Sequence, residues 1–81
     1  MIEEIRKALI EVIGNDEGAD SWDQGTDILA DVGLDSVQLI EFLLKIEETM
    51  GVEFDFENLE YDMLRSIGML AEKLEEMKKE A

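Results

Sequence analysis

Asp35-Ser36-Val37-Gln38 is the stretch whose residue types and spacing are best suited to chemistry. The chain has no His and no Cys, so it offers no imidazole base, no thiolate nucleophile, no disulfide framework and no thiolate metal site. Carboxylates, Lys, Tyr and Ser remain, and no spacing among them suggests a nucleophile paired with a base. Asp35 can cap a helix, and Gln38 three residues on completes a D-x-x-Q capping box;. The box accounts for Asp35 and leaves Ser36 spare at the first helical position. There, free backbone N–H groups and the helix dipole favour an attached anion by ~0.3–1 kcal/mol. A phosphodiester on the Ser36 hydroxyl would be well housed.

Other candidates are weaker. DEGADSWDQGTD, from Asp16 to Asp27, is rich in acids and glycine. It lacks the D-x-D-x-D-G spacing of a calcium loop and has Asp31 where the bidentate glutamate belongs;. Ser21 and Ser66 read as a loop residue and a helix cap, and Trp22 and Tyr61 as packing. Met50, Met63, Met69 and Met77 read as core filling or helix surface, with Met63 and Met69 placed to line an apolar cleft.

The elements that position Ser36 follow from hydrophobic periodicity. Ile2, Ile5, Leu9, Val12 and Ile13 form one stripe of a first helix ending at Gly14;. From Asn15 to Asp35 the periodicity stops in a loop rich in Gly, Asn and Asp, with Trp22, Ile28, Leu29, Val32 and Leu34 as its expected anchors to the core;. So long a loop in a small domain needs a reason. A second helix runs from about Ser36 to Met50 and stops at Gly51;. Val52 to Asp55 is extended, and Leu59, Tyr61, Met63 and Leu64 suggest a brief third helix. Ser66 caps a last helix with Ile67, Leu70, Leu74 and Met77 on one stripe, and EEMKKEA is expected to fray;.

The second helix is too apolar for one buried face. With Ser36 at zero, Leu39, Phe42, Leu43, Ile46 and Met50 fall between roughly 240° and 340°. Val37, Ile40 and Leu44 fall between roughly 40° and 100°, rimmed by Glu47, Glu48 and Glu41. The first set reads as core. The second is either covered by the loop or the brief third helix, or left to meet a partner, with Ser36 beside it.

Length and composition bound what remains. With 81 residues, 46% of them hydrophobic, the chain makes a single domain over residues 1–81;. Seven basic against 22 acidic residues give a net charge of −15, which repels nucleic acid and anionic lipid and favours a basic protein surface. Neither a signal peptide nor a membrane span is recognisable, so a cytoplasmic location is expected; a monomer is expected as well.

GLDSVQLIE, from Gly33 to Glu41, resembles the G-x-D-S-Φ signature (Φ apolar) of the acyl carrier and peptidyl carrier protein family. IEETMGVEF, from Ile46 to Phe54, is similar to that family's acidic helix end and exit. The resemblance implies an all-α, four-helix bundle of acyl-carrier type, with three longer helices, a short third helix and a long first loop. It also implies that Ser36 is the attachment point of 4′-phosphopantetheine. Such a protein is no enzyme: it holds acyl or aminoacyl intermediates as thioesters. The implied partners are a phosphopantetheinyl transferase, an acyl- or aminoacyl-activating enzyme that loads the arm, and downstream synthase or tailoring enzymes. Asp35, Val37, Ile40, Glu41, Leu44, Glu47 and Glu48 would form the face those partners read. FDFENLEYDMLRSIGML follows Gly51 without a proline, nearer to the discrete carriers of secondary metabolism than to many fatty-acid carriers. Val37 stands where leucine is more frequent. The competing reading is an acidic helical adaptor that binds a basic protein through the second helix and has no use for Ser36.

Overall fold

A computed structural model describes residues 1–80. Three α-helices, α1 (Ile2–Ile13), α2 (Ser36–Met50) and α3 (Ile67–Glu80), pack around one core, with α1 against both of the others. Among the described residues there is no strand, and no helix is long and apolar enough to cross a membrane. Ile5 and Leu9 from α1, Phe42, Leu43 and Ile46 from α2, and Ile67, Leu70 and Leu74 from α3 are fully buried. Each helix therefore buries the stripe its periodicity marks. α1 and α2 end at Gly14 and Gly51, whose positive φ angles of 90° and 69° suit a residue without Cβ;.

The long loop has a structural reason. Gly68 N–H donates to the Gln24 carbonyl (2.8 Å), Ile67 N–H to the Thr26 carbonyl (2.9 Å), and Ile28 N–H to the Leu64 carbonyl (3.0 Å). Two of the orphan donors that open α3 are thus satisfied by the loop, and a third, Met69 N–H, by Ser66 Oγ at 3.0 Å;. Ile28 and Leu34 are buried, and Trp22, Leu29 and Val32 pack against the core, as their apolar character demands. At the loop's other end, Arg6 donates to the Ala19 carbonyl at 2.9 Å and ties a 3-10 turn, Ala19–Ser21, to α1.

Two features differ from the sequence reading. Where a brief third helix is expected around Leu59–Leu64, a 3-10 turn occurs, Tyr61–Leu64, and an additional 3-10 turn, Phe56–Asn58, precedes it. Met63 and Leu64 are buried in the later turn, while Tyr61 stays exposed. The segment is too short to sustain an i→i+4 ladder, so burial of two apolar side chains shapes it rather than helix propensity. α3 also continues through residues expected to fray. Met77 packs against the core, and Lys78 and Lys79 in the last turn oppose the negative end of the helix dipole;. Ala81, the last residue of that expected fraying, lies outside the described residues.

Candidate functional site

The start of α2 is built as its sequence suggests. Asp35 Oδ1 accepts from Gln38 N–H at 2.8 Å, and Gln38 Oε1 accepts from Asp35 N–H at 3.2 Å, closing the capping box. The Ser36 and Val37 N–H groups find no protein partner among the described residues. Ser36 is exposed, and its hydroxyl enters no hydrogen bond among the described residues. The other two serines are occupied. Ser21 Oγ donates to the Gly18 carbonyl at 2.6 Å, and Ser66 Oγ caps α3.

Beside Ser36 the second stripe of α2 lies open. Val37 is 65% exposed, Ile40 44% and Leu44 50%, against complete burial of Phe42, Leu43 and Ile46 on the same helix. Neither the loop nor the 3-10 segment covers them. Three large apolar side chains on one exposed ridge are more than the scattered apolar residues expected on any surface.

The acids around the ridge divide by role. Glu41 and Glu48 are exposed and make no salt bridge within 4.0 Å among the described residues. Asp35 is also exposed, but its carboxylate is engaged as the cap. Glu47 is half-buried, and its Oε2 accepts from Phe54 N–H at 2.7 Å, joining the last turns of α2 to the segment that follows. Sequence reasoning missed this bond, because nothing in the spacing of residues 47 and 54 indicates how the chain turns at Gly51. Lys45, the one base on α2, pairs with Glu11 of α1 at 2.9 Å. The hydrogen bond that Lys45 Nζ donates to that carboxylate, then the carboxylate's charge, raises the Lys45 ammonium above its ordinary range;. The open ridge therefore presents negative charge with its nearest cation already paired.

Two hollows flank the segment after Gly51. One, of about 610 Å³, lies between Leu44 and Phe56 and carries Glu47, Glu48 and Glu53 on its walls. The other, of about 340 Å³, lies between Leu59, Met63 and Met77 with Lys73 at its side. Met63 thus lines a cleft as expected, whereas Met69 is exposed and takes no part in it.

Among the described residues no three His, Cys, Asp or Glu converge to hold a metal ion. Two acids of the 16–27 loop hold its backbone. Asp23 accepts from Gly25 N–H, and Asp27 accepts from Leu29 and Ala30 N–H, each at 2.8 Å.

Residues 3–74 match a family model described as a phosphopantetheine attachment site. No curated protein and no solved structure matches the chain.

Proposed function

The chain belongs to the phosphopantetheine-binding family of acyl and peptidyl carriers, and from that premise we propose that Ser36 bears the arm. Members of this family carry substrates and do not transform them, and 4′-phosphopantetheine is the group they hold. When attached, the arm supplies a terminal thiol on which acyl or aminoacyl groups ride as thioesters. The observation that carries the assignment to Ser36 is its exposed, unpartnered hydroxyl, set at the first position of α2 beside two free N–H groups. Those donors favour the negative charge of a phosphodiester.

In this reading Val37, Ile40 and Leu44 meet partner enzymes. Glu41 and Glu48 attract and orient a basic surface, adding little binding energy of their own. Asp35 and Glu47 belong to the same face but act mainly through the backbone groups they hold. A phosphopantetheinyl transferase installs the arm from coenzyme A, a loading enzyme charges it, and synthase or tailoring enzymes draw on it. The 3-10 segment at Tyr61–Leu64 takes the place of the short third helix in a four-helix carrier bundle. The proline-free chain after Gly51 favours a discrete carrier of secondary metabolism.

The test is an intact mass after incubation with coenzyme A, magnesium and a broad-specificity phosphopantetheinyl transferase. The parent chain gains one phosphopantetheine and Ser36→Ala gains none. A folded parent that gains nothing would support the acidic adaptor, which shares the ridge but needs no serine.

A further inference from the structure

The open ridge of α2 does not end with the helix. Phe56 is 40% exposed, although it lies beyond Gly51 in a 3-10 turn, and it faces Leu44 across the larger hollow. Its ring stands edge-on to the buried Phe54, with centroids 6.3 Å apart and planes at 72°. Two carboxylates determine where this segment lies. Glu47 Oε2 holds Phe54 N–H at 2.7 Å on one side of Phe56. On the other side Asp55 accepts from Glu57 N–H, Asn58 N–H and Asn58 Nδ2, at 3.1, 3.3 and 3.1 Å. An exposed aromatic whose backbone neighbours are held on both sides is preorganised for contact, since little backbone entropy remains to be lost when it is covered.

We propose that Phe56 is a second apolar anchor of the docking surface, with Glu47 as its positioning residue, and that the hollow between Phe56 and Leu44 receives an apolar side chain of the phosphopantetheinyl transferase flanked by lysine or arginine. This rests on the carrier reading above. The charge of the occupant follows from the walls, where Glu48 and Glu53 stand exposed, Glu47 is engaged with Phe54 N–H, and no lining residue is basic. The identity of the partner follows from reach. Leu44 lies eight residues along α2 from Ser36, about 12 Å at the helical rise. An interface of about 800 Å² per partner is roughly 30 Å across, so an enzyme whose active site meets Ser36 also covers the hollow.

The experiment measures steady-state transfer from coenzyme A to the full chain by a broad-specificity transferase, with initial rates read by intact mass. Burying the exposed part of Phe56 is worth about a three- to eight-fold change in affinity, so Phe56→Ala raises KM by that factor and leaves kcat within about two-fold. Glu47→Ala raises KM to the same degree, and combining the two substitutions raises it no further. Glu47→Gln, which keeps the carbonyl acceptor for Phe54 N–H, recovers a large part of that loss. Glu53→Lys changes only an exposed side chain and raises KM by about two- to five-fold, an effect that shrinks with added salt;. It keeps the proposal testable if truncating Phe56 disturbs folding. An unchanged KM in Phe56→Ala or in Glu53→Lys, or equal losses in Glu47→Gln and Glu47→Ala, overturns the proposal while the carrier reading stands. A parent chain that accepts no group overturns the carrier reading and this inference with it.

Discussion

Leu43 and Leu44 are neighbours in sequence and opposites in place, and that contrast separates the core of α2 from its exposed ridge. Leu43 is fully buried and Leu44 is half exposed. Truncating Leu43 to Ala removes buried methyl groups and leaves a cavity, at a cost of about 2–5 kcal/mol. A chain of 81 residues is expected to have a total stability of only about 4–12 kcal/mol. Each kcal/mol lost lowers Tm by about 4–8 °C in a domain of this size, so Leu43→Ala should melt at least about 8 °C below the parent. Leu44→Ala should stay within about 0.5 kcal/mol of parental stability, as surface substitutions do. What Leu44 loses appears in docking. The half of it still exposed is worth about 0.75–1.5 kcal/mol when a partner covers it, so KM for transferase-catalysed modification should rise about four- to twelve-fold. Thermal unfolding followed by circular dichroism and transfer kinetics on the same samples give both numbers. The reasoning is refuted if Leu44→Ala is as destabilising as Leu43→Ala, or if its KM matches the parent's.

Three further predictions concern the frame that holds Ser36. Asp35→Ala breaks the capping box and should cost about 0.5–2 kcal/mol, while Asp35→Asn keeps most of the cap; urea unfolding measures both. Gly68→Ala should destabilise by about 1–3 kcal/mol in the same assay despite the better helix propensity of alanine. A Cβ at Gly68 would stand 3.0 Å from the Gln24 carbonyl oxygen and 3.2 Å from the Gln24 Cβ, so the Gln24 backbone must give by a few tenths of an ångström against the bond it accepts from Gly68 N–H. Asp55 is held below the ordinary carboxylate range, first by the Asn58 side-chain hydrogen bond and then by the Glu57 and Asn58 N–H groups. Because its folded pKa is depressed, its contribution is complete above the ordinary value of 3.8 and is lost as pH falls through the lower folded one;. The Tm difference between the parent and Asp55→Ala should therefore be constant above that value and close as the solution is acidified further.

What could be read from the sequence was what local chemistry determines. The stripes of α1, α2 and α3, the glycine ends at Gly14 and Gly51 and the capping box at Asp35 depend on neighbours within a few residues. The second stripe of α2 was visible as a pattern, but its exposure was not, since that depends on where the 15–35 loop goes. The loop's course is set by bonds from Gln24, Thr26 and Ile28 to the junction around Leu64–Gly68, some 36 to 44 residues away in sequence. Glu47 and Lys45 escaped for the same reason. One reads as a free recognition charge and is bonded to Phe54, and the pairing of the other with Glu11 joins residues 34 positions apart in sequence. The spacing of Leu59, Tyr61, Met63 and Leu64 suggests a helix where the 3-10 turn Tyr61–Leu64 forms, because so few residues do not distinguish the two;.

The central claim is that the arm is attached at one particular hydroxyl, and peptide mapping of the transferase-treated protein tests it most directly. The chain has three serines, so digestion and fragmentation can assign the added mass to one of them. All of it is expected on Ser36, with the peptides bearing Ser21 and Ser66 unmodified. Modification of Ser21 or Ser66, or a modified product from Ser36→Ala, would contradict it.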